Sequence, residues 1–118
     1  MKRLFLVITI IFIAATMVSA GDITPSADKT ASAVVDADNG AFNGILVVTD
    51  GTNAVTLDIY DTNVAVASGR KLVPQITIPT GASNRLFVLS FDPPLPYKIG
   101  CYVVVTCVGT VTYKTYTE

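Results

Sequence analysis

The chain predicts an all-β fold, an antiparallel β-sandwich of about seven strands with a jelly roll among its arrangements. Three observations carry this. Apolar runs rich in Val, Ile, Thr and Tyr recur from Ala31 onward, the composition that pleated sheets favour. Turn residues punctuate those runs at roughly ten-residue spacing, the signature of a sandwich or barrel. No segment after residue 21 shows a helical hydrophobic period.

The strands follow in order. Residues 31–38 form a first run that ends at Asn39-Gly40, a dipeptide that predicts a two-residue hairpin turn. Residues 44–50 form the second strand, and Asp50-Gly51-Thr52-Asn53 the next tight turn. In the third, Val55, Leu57 and Ile59 alternate with Thr56, Asp58 and Tyr60, so one face is buried and the other wet. After a longer connection over residues 62–71, Ile76 and Ile78 share one face of a strand. Pro74 cannot donate to a ladder, which places that strand at an edge or a bulge. Phe87, Leu89 and Phe91 then line one side of the next strand. Residues 92–100 carry three prolines and read as a stiff loop. Residues 101–108 and 111–117 close the chain as a terminal hairpin. The expected core centres on Val47, Val55, Leu57, Ile59, Ile76, Ile78, Phe87, Leu89, Phe91, Val103 and Val105.

Ahead of this domain, residues 31–118, lie two other segments. Residues 21–30 are polar and read as a flexible leader. Residues 1–20 combine Lys2 and Arg3 with an apolar stretch and end in Val18-Ser19-Ala20, the pattern of a signal peptide cleaved before Gly21. The apolar stretch from Leu4 to Val18 is short of the roughly 20 residues that span a bilayer. An uncleaved anchor is the other reading, and membrane contact follows only if residues 1–20 are retained.

The charge balance is slightly acidic, with eight Lys and Arg against nine Asp and Glu. No basic run offers a footprint for nucleic acid. Cys101 and Cys107 lie on one strand, separated by roughly 20 Å at about 3.3 Å per residue. Bridged cysteines need Cα atoms within about 7 Å, so both read as small buried thiols.

Catalytic chemistry finds little to work with. The chain has no histidine, the commonest general base and metal ligand. Glu118 is its one glutamate. Asp36, Asp38, Asp50, Asp61 and Asp92 fall at strand ends and turns, where aspartate bonds the local backbone. Asp36 and Asp38 begin a run like a calcium loop, but Gly40 falls one position early for that register. No catalytic, cofactor or metal site is therefore expected. Two binding candidates remain. Pro93, Pro94, Leu95, Pro96 and Tyr97 form a rigid apolar stretch suited to a protein contact. Tyr102, Tyr113 and Tyr116, on the last two strands, form an aromatic binding face if they stand exposed side by side.

The ordered set "NGILVVTDGTNAVTLDIYD", "ASGRKLVPQITIP", "FDPPLPYKIGCYVVV" and the closing "GTVTY" resembles a group of small β-sandwich proteins encoded among the virion genes of tailed bacteriophages. The resemblance spans about Ala31 to Tyr116 and implies a non-enzymatic capsid-decoration or head-fibre-like subunit. It implies a virion location, with partners that are other copies of the chain or a capsid or surface lattice. The alternative is a secreted binding module, exported to the periplasm or beyond, that recognises carbohydrate or a cell-surface ligand. The three tyrosines discriminate: an exposed row favours the module, and burial or dispersal favours the assembly subunit.

Overall fold

The computed structural model describes residues 22–118; the signal-like segment over residues 1–20 lies outside them. Among the described residues there are nine strands: β1 Thr24–Pro25, β2 Ala33–Asp36, β3 Gly40–Thr49, β4 Val55–Asp61, β5 Arg70–Lys71, β6 Ile76–Ile78, β7 Leu86–Tyr97, β8 Cys101–Thr106 and β9 Val111–Thr117. A single 3₁₀ turn over Ala82–Asn84 precedes β7. Two antiparallel sheets result, one ordered β1-β9-β3-β7 and the other β2-β8-β4, with β5 and β6 sharing the free edge of β4.

This order is a ribbon folded on itself. β1 pairs β9, β2 pairs β8, β3 pairs β7 and β4 pairs β5 and β6. Rolling that ribbon then adds β3 to β9 and β4 to β8. The outcome is a jelly roll, with eight strand positions once β5 and β6 count as one. Its pairings join distant parts of the chain, and most short connections cross between sheets.

That crossing corrects two expectations, the Asn39-Gly40 hairpin and the terminal hairpin. The Asn39-Gly40 turn, the Asp50–Asn53 turn and the residues between β8 and β9 do not close hairpins. Each passes the chain from one sheet to the other, because β2 and β3, β3 and β4, and β8 and β9 belong to different sheets. Gly51 has φ 76°, so the second of these is a genuine tight turn.

The proline-rich stretch is also corrected. Pro93, Pro94, Leu95, Pro96 and Tyr97 lie within β7 and not in a loop, with Leu95 opposite Phe42 and Tyr97 opposite Gly40. β7 is a sheet edge, where a missing N–H costs no ladder bond on the open side. The strand nonetheless bulges here. Phe42 pairs Leu95 while Gly44 already pairs Ser90, which throws Phe91 to Pro94 out of register opposite Asn43. Gly44 is required at that bulge, since a Cβ there would sit 2.5 Å from the Leu89 carbonyl oxygen.

Residues 24–29, expected as a flexible leader, instead lie along β9. Thr24 and Pro25 pair Thr117 and Tyr116, and Lys29 exchanges backbone bonds of 2.8 Å with Tyr113 in both directions.

The core fills the space between the sheets. Val47, Val55, Leu57, Ile59, Ile78 and Val103 are buried, as the alternation predicts. Phe42, Ile45, Tyr97, Cys101, Val111 and Tyr113 join them. Ile76, Phe87, Leu89, Phe91, Val105 and Cys107 pack against this core while remaining partly exposed. The Phe42 and Phe91 rings meet at 6.0 Å and 52°, within the range of tilted aromatic pairs.

Candidate interaction surface

One aspartate organises each end of the sandwich. At one end Asp50 accepts the N–H groups of Thr52, Asn53 and Thr110 at 2.9–3.2 Å, joining the β3–β4 and β8–β9 connections. Its carboxyl is held well below the ordinary range, first by the Asn53 side chain and then by these backbone donors. Gly109 must be glycine for this approach, because a Cβ there would fall 2.0 Å from Asp50 Oδ2.

At the other end Asp61, 6% exposed, accepts N–H groups from Lys98, Ile99 and Gly100 and an Arg70 Nη2 bond of 3.0 Å. Burial pushes its carboxyl up, but these donors outweigh burial and hold it at about 2. Asp36 and Asp58 are also engaged: Tyr97 donates to the first, Lys71 and Gln75 to the second. Four of the aspartates thus have structural partners: Asp50 bonds its own turn, as expected, whereas the backbone donors to Asp61 lie on the distant β7–β8 connection. Asp58, on the wet face of β4, is held by side chains instead. Among the described residues no three His, Cys, Asp or Glu side chains gather as a metal site would require.

The three candidate tyrosines are dispersed, which corrects the expected aromatic face. Tyr113 points into the core, 1% exposed, and its hydroxyl donates to the Ala31 carbonyl at 2.7 Å. Burial pushes its phenol up to about 12. Tyr102 belongs to the other sheet, where it sits between Val34 and Tyr60 at 8% exposure. Tyr116 alone of the three reaches the outer face of the β1-β9-β3-β7 sheet.

The proline stretch divides in a similar way. Tyr97 is 2% exposed and Leu95 packs on the core, while Pro93 and Pro96 stay at the surface. Only part of that candidate contact is available to a partner.

A different surface collects the exposed apolar side chains. On the outer face of the β1-β9-β3-β7 sheet, Val48 stands opposite Leu86 and Leu46 opposite Val88. Leu86 is 62% exposed, Val88 64% and Val48 47%. Beside them an apolar groove of about 330 Å³ runs between Leu46, Val88, Ser90 and Tyr116 across Gly44. Asn43 borders it, with a buried Nδ2 that lacks a hydrogen-bond partner among the described residues. Sequence alternation marks Leu46, Val48, Leu86 and Val88 as sharing a face, but gives no sign that no described residue covers that face.

Among the described residues no helix is long and apolar enough to cross a membrane. No protein-family model, no curated protein and no solved structure matches the chain.

Proposed function

We propose that the chain is a non-enzymatic structural subunit of a virion or surface assembly, of the capsid-decoration or head-accessory kind, acting through protein–protein contacts. The observation that carries this reading is the exposed strip of Val48, Leu86 and Val88 beside an apolar groove on one sheet. Contiguous apolar surface on a small domain marks an interaction site. A jelly roll supports the reading only weakly, since both capsid and lectin domains use it. The sugar-binding alternative loses the feature it rested on, because Tyr102, Tyr113 and Tyr116 form no row.

The test is compositional. Purified particles from the producing cells are analysed by intact-mass spectrometry, alongside the secreted fraction. The chain is expected in particles at fixed stoichiometry, and Val88→Lys is expected to reduce its incorporation. Recovery only as a free secreted protein that binds a glycan array would overturn the assembly reading.

A further inference from the structure

Among the described residues both sheets end in open edges, and the edges differ in how they are guarded. Exposed edges invite pairing with another chain, and proteins block this with charge, proline, bulges or very short strands. β1 is two residues long, contains Pro25 and lies near the Asp28–Lys114 ion pair. β2 is bulged between Val34 and Asp36. The β5 and β6 edge carries Arg70, Lys71 and, between its two pieces, Pro74. The second half of β7 carries Asp92, Pro93, Pro94 and Pro96. The part before the β7 bulge, Leu86 to Ser90, has no charge, no proline and no register shift.

The hydrogen-bonding parity of this part is fixed. Thr49 N–H donates to the Arg85 carbonyl at 2.8 Å, so the backbone groups of Arg85, Phe87 and Leu89 face β3. By alternation the backbone groups of Leu86, Val88 and Ser90 face the open side. An antiparallel copy of this strand centred on Val88 sets Val88 against Val88, and Leu86 against Ser90. All three open residues are then satisfied, by about six backbone hydrogen bonds. The same register keeps outer-face residues with outer-face residues, and sets Phe87 against Leu89 on the core side. Both of those side chains are only half-buried in one copy.

Charge selects the direction. Arg85 and Asp92 bracket the stretch, and neither forms an ion pair among the described residues. Antiparallel pairing brings Arg85 of each copy toward Asp92 of the other, whereas parallel pairing sets like beside like.

We propose that two copies of the chain pair β7 to β7 around a twofold axis at Val88, merging their β1-β9-β3-β7 sheets into one continuous sheet. The proposal rests on the assembly reading and supplies its contact. An isologous contact of this kind is closed, so it yields a dimer and not a fibre.

Cysteine cross-linking of the full chain in a Cys107→Ser background tests it. In the paired state the two Val88 Cα atoms lie about 5.5 Å apart, within disulfide reach of about 4.4–6.8 Å. Val88→Cys is expected to form a covalent dimer on mild oxidation. Leu86→Cys is expected to stay uncrossed, because its two copies are offset by about 13 Å along the strand. A mixture of Leu86→Cys and Ser90→Cys chains is expected to cross-link as a heterodimer. Val88→Pro removes an open-side N–H only, and is expected to give a folded monomer by circular dichroism and sedimentation. Val88→Lys serves the same purpose if the proline variant fails to fold. An oligomer that survives Val88→Lys, or cross-links that ignore position, overturns the β7 pairing. A chain that is monomeric and uncrossed overturns it too, while its presence or absence in particles still judges the assembly reading separately.

Discussion

The Tyr97 hydroxyl donates to Asp36 Oδ2 at 2.5 Å, tying the end of β7 to the end of β2 across the two sheets. Tyr97 is almost fully buried. Burial first, and the Asp36 bond second, push its phenol well above the ordinary range, so it stays protonated as the donor. Tyr97→Phe keeps the ring and removes only this bond. Hydrogen bonds to charged groups contribute about 1.5–3 kcal/mol, and a loss of that size is expected in urea unfolding. A loss near zero would mean that water replaces the tyrosine at Asp36.

Asp61 gives the fold an acid limit. Its carboxyl sits at about 2 in the folded chain, below the unfolded value of about 3.9. The unfolded chain therefore binds that proton more readily. The stabilisation is complete above about pH 4 and is lost as pH falls toward 2. Asp61→Asn is expected to lower Tm at pH 7 and to flatten the Tm profile between those two values. An unchanged profile would assign the acid sensitivity to other carboxylates.

Core and surface apolar residues should respond very differently to truncation. Leu57 is fully buried, and Leu57→Ala is expected to cost about 2–5 kcal/mol. Val88 is mostly exposed, and Val88→Ala is expected to stay within about 0.5 kcal/mol when measured on dilute protein. Equal effects would contradict the assignment of Leu57 and Val88 to inner and outer faces.

The two thiols should separate by reactivity. Cys101 is fully buried, and burial pushes its thiol up to about 12, with Asp36 and Asp61 adding to the effect. Cys107 is only half-buried. A thiol reagent at pH 8 is expected to modify Cys107 in the native chain and Cys101 only after denaturation. Rapid native labelling of both would mean that β8 opens readily.

The strands were legible where alternation was strict, as in Val55, Leu57 and Ile59. The pairing was not. Asn39-Gly40 encodes a reversal of the chain, but reversal leaves open whether the next strand joins the same sheet or crosses to the other. Crossing is decided by the distant partners of β2 and β3, namely β8 and β7. Proline density in residues 93–96 argued against a strand because local propensity carries no information about edges. Tyr113 and Tyr116 show the same limit at the candidate site. They are three residues apart on β9, and so on opposite faces, yet only the packing of the second sheet decides that Tyr113 is inside.

The pairing of Thr24 with Thr117 has a practical consequence. The start of β1 and the end of β9 meet at one corner of the molecule, on the edge opposite β7. A short linker from Glu118 to Thr24, with new ends cut into residues 62–69, retains every strand pair. Such a circular permutant is expected to fold, as a cooperative thermal transition would show. The same geometry gives the domain a front and a back. A tether joined directly at Thr24 or Glu118 starts from the back, on the side away from the β7 edge.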